Sequence, residues 1–283
     1  MMKNMKKISA LLLAVLIVVL LCSCGETAPA ETLKFTLNGD GASYTVSAAS
    51  DEIAGEIMIP TEHNGLPVTA IGSGAFEGCT KLTGVVIPNG ITKIGHGAFA
   101  DCIALSIITI PTSVTEIGNN AFSDCKSLIG IRIPDGVTSI GDWVFHNCRR
   151  LVSVTIPETV THIGDCAFVG CESLAGIKIP DGVTEIGDWA FERCENLTSI
   201  TIPDGVRSIG EWSFSLCEKL TEITVPSSVS SIGEYAFGGC VSLKKITFGG
   251  TRAEWREVEK GADWDYKTGR YVVVCTDYEV EKY

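Results

Sequence analysis

The chain has 283 residues, 45% of them hydrophobic and 20% charged, with 30 Gly and 12 Cys. That composition excludes a disordered polyelectrolyte and leaves room for one large domain or two ordinary ones. The formal net charge of −12 argues against nucleic acid, whose phosphates call for clustered Lys and Arg.

At the N-terminus Lys3, Lys6 and Lys7 precede an apolar run from Ile8 to Leu21, interrupted only by Ser9. Such a run makes ~21 Å of helix, short of the ~30 Å hydrocarbon thickness of a bilayer. A basic start and a short apolar run predict an export signal over residues 1–23. It ends in Leu21-Cys22-Ser23-Cys24-Gly25, which resembles a bacterial lipobox. The resemblance implies cleavage before Cys24, diacylglycerol on its thiol, and an exported protein lipid-anchored at the bacterial cell surface. A plain secretion signal with incidental cysteines is the alternative, and it too exports the protein. Residues 24–32, with Ala28, Pro29 and Ala30, read as a short tether.

Beyond the tether, residues 33–64 contain Leu33-Lys34-Phe35-Thr36-Leu37 and Tyr44-Thr45-Val46, which predict a strand pair and an N-terminal cap. Residues 65–248 then repeat every 23 positions. Cysteine recurs from Cys79 through Cys102, Cys125, Cys148, Cys171, Cys194 and Cys217 to Cys240. Phenylalanine recurs with the same step from Phe76 to Phe237, and an Ile-Gly pair from Ile71 to Ile232. Eight units without an insertion identify a solenoid, because one coil cannot bury its own apolar face and must stack on the next.

Within the unit Pro134–Ile156, Val137 and Ile140 flank polar Thr138 and Ser139 as a short extended piece. Val144, Phe145 and Cys148 have the spacing of a helical turn, and Val154-Thr155-Ile156 alternates like a strand. The expected fold is therefore an α/β repeat solenoid in which short helical turns join strands of a parallel β-sheet. The crossover rule makes it right-handed. Residues 249–283 lose the repeat and gain Trp255, Trp264, Tyr266, Tyr271 and Val272-Val273-Val274, which predicts a C-terminal cap.

The unit Leu-x-x-Ile-x-Ile-Pro-x-x-Val-x-x-Ile-Gly-x-x-Ala-Phe-x-x-Cys resembles the BspA-type leucine-rich repeat, over about residues 33–283. The opening Gly65-Leu66-Pro67-Val68 and the closing Gly250-Thr251-Arg252-Ala253-Glu254-Trp255 resemble that family's terminal units. The resemblance implies a bacterial surface protein, often of a host-associated microbe, in a family some of whose members bind host matrix proteins or other cells.

Three features compete as sites. The cysteine column lies within disulfide reach if coils stack at ~4.8 Å, but parallel side chains in a core read more simply as reduced, buried thiols. A strand-face column holds Thr109, Arg132, Thr155, Lys178, Thr201 and Thr224. It could dock an extended partner, or it could reflect only the preference of Thr for exposed strands. A third column, just before Ala-Phe, carries Trp143, Trp189, Trp212 and Tyr235 beside Asp142, Asp188, Glu211 and Glu234. Exposed aromatics and acids suit a glycan or a basic peptide, while packing over the neighbouring coil is the plainer reading.

Catalysis is not expected. His63, His96, His146 and His162 occupy different repeat positions, and His-Glu-x-x-His, Gly-x-Ser-x-Gly and phosphate-loop patterns are absent. No metal or cofactor is expected either. The sequence thus predicts a non-enzymatic binding module for a protein or glycan, touching the membrane only through its lipid. A spacer lipoprotein without a specific ligand is the alternative.

Overall fold

The computed structural model describes residues 32–277 and 279–281. The expected signal over 1–23 and the lipidation at Cys24 fall outside the described residues. Among the described residues no helix is long and apolar enough to cross a membrane.

All but one of the coils contribute two extended segments, and each kind stacks on its equivalents as a parallel ladder. The first ladder is made of very short strands centred on the Ile-Gly pair. Ile71 faces Ile94, which faces Ile117. After a break, Ile140, Ile163, Ile186, Ile209 and Ile232 continue the register. The 23-residue step thus sets the pairing directly, since any slip would turn these isoleucines out of the core.

The second ladder uses the Leu-x-x-Ile-x-Ile runs. Lys81–Val86 pairs with Ile107–Thr109, Gly130–Arg132 with Ser153–Thr155, and Ser199–Thr201 with Glu222–Val225 and then Lys245–Phe248. No strand forms over residues 175–179, where Ala175-Gly176 places two poor strand formers in succession.

The segment expected to form short helical turns is built differently. Among the described residues the one α-helix is Arg252–Glu257, in the C-terminal cap. In the repeats the Gly-x-x-Ala-Phe-x-x-Cys stretch is a chain of tight turns whose N–H groups alternate in direction. Trp143, Phe145 and Asn147 donate to Asp165, Ala167 and Val169 of the next coil, at 2.9, 2.9 and 2.7 Å, while His146 and Cys148 donate back to Trp143 and Phe145 of their own. The helix-like spacing of Val144, Phe145 and Cys148 comes from these turns. A true helix would keep its bonds within one segment. Here half of the donors serve the neighbouring coil, which accounts for the low helix content.

The core is a set of axial ladders. Phe76, Phe99, Phe122, Phe145, Phe168, Phe191, Phe214 and Phe237 are all buried. Successive rings stack nearly parallel, with centroids 5.2–5.7 Å apart, as offset aromatic pairs prefer. Beside them runs the cysteine column, free and buried throughout. Cys102 Sγ donates to the Phe76 carbonyl at 3.0 Å, and the pattern repeats up to Cys240 on Phe214 at 3.1 Å. Each thiol therefore fills a small apolar space and satisfies a buried carbonyl of the preceding coil.

In most coils, though not at Gly72 or Gly141, the glycine after the isoleucine meets the backbone of the preceding coil. A Cβ at Gly118 would lie 2.5 Å from the His96 nitrogen, and one at Gly210 would lie 2.6 Å from the Gly187 carbonyl carbon. Backbones cross there too closely for any side chain.

At the N-terminal end, Leu33–Leu37 and Tyr44–Ala48 form an antiparallel pair. Ala54–Met58 joins the second ladder through Lys81–Val86. At the C-terminal end the backbone outlasts the repeat sequence. Ile232 pairs with Lys260 and Ile246 with Val273, so residues 259–274 form one more, divergent coil. Trp264 meets Phe237 edge-on at 5.9 Å and closes the ring stack.

Candidate binding edge

The turn stretches line up as one long edge, and its chemistry follows from backbone geometry. The position just before Ala-Phe is left-handed in every repeat. Gly74 and Gly97 have φ of 59 and 58°, Asn120 58°, Trp143 59°, Cys166 56°, Trp189 and Trp212 55° and Tyr235 51°. Gly and Asn adopt this conformation readily, whereas a bulky residue there is an outlier. The strain is offset by packing. Left-handed φ costs an L-residue ~1–2 kcal/mol, while covering more than half of an indole contributes roughly 2–3 kcal/mol. The rings are tolerated by the fold without being required by it, since Gly74, Gly97 and Asn120 make the same inter-coil hydrogen bond.

What distinguishes the rings is the surface left over. Trp143 is 40% and Trp189 36% exposed, and Trp212 and Tyr235 are half-buried. Trp212 stacks on Tyr235 at 4.3 Å, Tyr235 meets Tyr266 at 5.8 Å, and Trp143 contacts the His146 ring at 4.9 Å. Cys166 interrupts the row between Trp143 and Trp189 and is itself buried, its thiol pushed up to about 12 by burial and nearby acids.

The acids alongside have a structural task as well. Asp142 accepts the Asp165 N–H, Asp165 the Asp188 N–H, and Asp188 the Glu211 N–H, at 3.1, 2.9 and 2.7 Å. Asn119 starts the chain by accepting from the Asp142 N–H. Asp142, Asp165 and Asp188 thus form a ladder of side-chain caps that ends at the Glu211 N–H. Among the described residues, Asp142, Asp165, Asp188, Glu211 and Glu234 make no ion pair. Glu192 joins this surface three residues after Trp189, its carboxyl raised by burial. Asp263 accepts from the Tyr235 hydroxyl at 3.1 Å, which raises the phenol. The repeat pattern hid Asp263 and Tyr266 because the sequence signature is lost in the last coil. Glu192 carries no repeat signature, its equivalents in the other coils being Glu77, Ala100, Ser123, His146, Val169, Ser215 and Gly238.

The N-terminal part of the same edge is a shallow polar depression of about 560 Å³, lined by Ser73, Glu77, His96, Asp101, Asn120 and Ser123. His146 stands at its end, its Nδ1 3.4 Å from Ser123 Oγ and 3.5 Å from Asp124. Burial lowers the His146 pKa, against the pull of Asp124. Serine and aspartate both face Nδ1, so the cluster lacks the relay across two ring nitrogens that nucleophilic catalysis uses. Among the described residues no group of three or more His, Cys, Asp or Glu could hold a metal ion.

On the strand face, Thr109, Arg132, Thr155, Lys178 and Thr201 are exposed and Thr224 is half-buried. Register puts Arg132 beside Thr155 and Thr201 beside Thr224. Its charges are already engaged, Arg132 with Asp135 at 3.6 Å and Lys178 with Glu158 at 2.5 Å. Sequence reading missed the apolar side of this face, where Met58, Ile107, Ile129 and Val152 are 42–51% exposed. Comparing the columns two and three residues earlier would have found Ile107, Ile129 and Val152, while Met58 pairs with Val86.

The fold and its ladders define the class: a parallel-strand β-solenoid of about ten coils with little helix. The BspA type leucine rich repeat region, in six copies, matches residues 62–174 and 138–257. The chain belongs to this family. Among solved structures it is similar to a leucine-rich repeat protein of T. pallidum, at 28% identity and a TM-score of 0.54, covering 77% of this chain and 91% of that one. It is similar also to a leucine-rich repeat protein of Bacteroides ovatus, again at 28% identity, with a TM-score of 0.58. That alignment covers 77% of this chain and 54% of the other. No curated protein matches the chain.

Proposed function

We propose that this protein is an exported, lipid-anchored surface module that binds an extracellular partner, without catalysis, through its aromatic edge. The observation that carries the reading is the exposure of Trp143 and Trp189 at a position that earlier coils fill with Gly74, Gly97 and Asn120. A stacked solenoid presents such a column as a rigid, extended strip, so a partner loses little entropy of the site on docking. Membership of the family and the basic-apolar N-terminus support export to the surface, and Cys24 is the residue that would carry lipid.

The test is a panel of matrix proteins, mucins, cell-wall polymers and a glycan array presented to the immobilised protein and to a folded Trp189→Ala/Trp212→Ala variant. A ligand lost by the variant supports the reading. One retained would move the site to the strand face. Silence across the panel would leave a spacer. Anchoring is checked separately by metabolic labelling with an alkyne fatty acid, which Cys24→Ala should abolish.

A further inference from the structure

We infer that the partner of the aromatic edge is cationic, an extended peptide segment rich in Arg and Lys. The inference rests on the proposed use of this edge for binding and adds the chemistry of what binds. Five carboxylates, Asp142, Asp165, Asp188, Glu211 and Glu234, stand on successive coils beside the rings and make no ion pair among the described residues. Some acids elsewhere on the coils find partners, as in Lys93–Glu116 and Arg149–Glu172, and others such as Glu185, Asp204 and Glu218 do not. What sets this column apart is an acid on each of five successive coils. Successive coils lie ~4.8 Å apart, less than the ~8 Å Debye length at physiological salt. The potentials of neighbouring acids therefore overlap, and one arriving cation is drawn by several at once.

The rings add a second attraction of the same sign, because the face of an indole or phenol binds cations. The molecule supplies its own example at the end of the row. The Lys267 ammonium sits 5.0 Å from the centroid of Tyr266, the ring that meets Tyr235. The rings of Trp143, Trp189 and Trp212 lie on the same edge, where the basic side chains of the turn stretches over residues 142–239 are His146 and Arg193. His146 is held toward its neutral form by burial, and Arg193 is paired with Glu195 at 3.8 Å. A neutral glycan would use the rings and leave the charge unanswered. An Arg/Lys-rich strand answers both rows, with side chains long enough to reach across them.

The experiment titrates the full-length protein with a synthetic peptide of alternating Arg and Ser. The controls are a peptide of alternating Glu and Ser and a neutral oligosaccharide of six β-linked glucose units, all followed by Trp fluorescence and calorimetry. The Arg-Ser peptide is expected to bind and to weaken about tenfold between 50 and 500 mM salt. Glu211→Gln/Glu234→Gln, folded by circular dichroism, should weaken it by a similar factor, and Trp189→Leu/Trp212→Leu should weaken it further. Failure of the Arg-Ser peptide, or equal binding of the Glu-Ser peptide, overturns the cationic partner. Salt-independent binding of the oligosaccharide that needs Trp189 and Trp212 overturns it too, while leaving the edge as a site. Binding of any probe that ignores every Trp and Glu variant sinks both the partner and the edge.

Discussion

The first three coils and the later ones share one backbone and carry two surfaces. Gly97 and Trp189 have φ within a few degrees of each other and donate to the equivalent carbonyl one coil on. Around Gly97 the edge is a shallow polar hollow, and around Trp189 it is a strip of rings and acids. The difference teaches that the fold specifies conformation at this position and leaves the side chain open. Beneath the edge the two halves are alike, with the same phenylalanine stack, thiol ladder and glycine crossings.

The shared core is where the largest effects are expected. The thiols from Cys102 to Cys240 are held protonated by burial, Cys102 and Cys240 pushed up to about 12 and the others also raised strongly. An unfolded chain ionises them near pH 9, so this contribution is complete below that pH and is lost as pH rises toward the folded values. The loss is about 1.4 kcal/mol per thiol per pH unit. Thermal scans from pH 7 to 10.5 should show melting falling steeply above pH 9 in both halves together. A transition confined to one half, seen by hydrogen exchange, would break the equivalence.

Next in size are Phe99→Ala in the early coils and Phe191→Ala in the later ones. Each should cost about 4 kcal/mol in denaturant titrations, for the lost ring and the cavity it leaves. Gly118→Ala and Gly210→Ala should follow at about 3 kcal/mol each, since neither backbone crossing can open without moving a neighbouring coil. Unequal losses within either pair would mean that the halves differ in core as well as in surface.

The edge itself is probed by exchanging its residues. Trp189→Asn gives up ring burial and relieves left-handed strain, for a net loss of about 1 kcal/mol, and it should weaken binding at the edge. Asn120→Trp should fold within about 1 kcal/mol of the parent, which melting temperature would show. The smallest effect is a gain. Ser213 sits where Ala98, Ala190 and Ala236 stand in other coils, and its buried hydroxyl has no hydrogen-bond partner. Ser213→Ala should therefore raise stability by about 1 kcal/mol.

Much of this architecture could be read from residue spacing. Identical residues every 23 positions dictate which coil stacks on which, so the Phe, Cys and Ile ladders and the strand register follow from sequence alone. A buried cysteine column also follows, because aligned small apolar side chains fill a core, while it is the structure that has its thiols free. The turn edge was legible as an aromatic row beside an acidic row. The second task of Asp142, Asp165 and Asp188, capping the next coil's N–H, needs two coils in contact before it exists at all.

Tertiary structure alone settled three matters. The spacing of Val144, Phe145 and Cys148 fits a helix and a chain of turns equally well, and the choice fell to turns because alternate N–H groups bond across coils. The cap sequence of 249–283 shares few residues with the repeat, yet its backbone completes another coil, since ladder hydrogen bonds need only N–H and C=O groups. The glycine of each Ile-Gly pair is visible as a pattern, but the cause found in most of them, backbones crossing too closely to admit a Cβ, belongs to the stacked coils. Sequence determines a ladder when its rungs are side chains at a fixed step, and only the assembled solenoid decides where the shared backbone groups go.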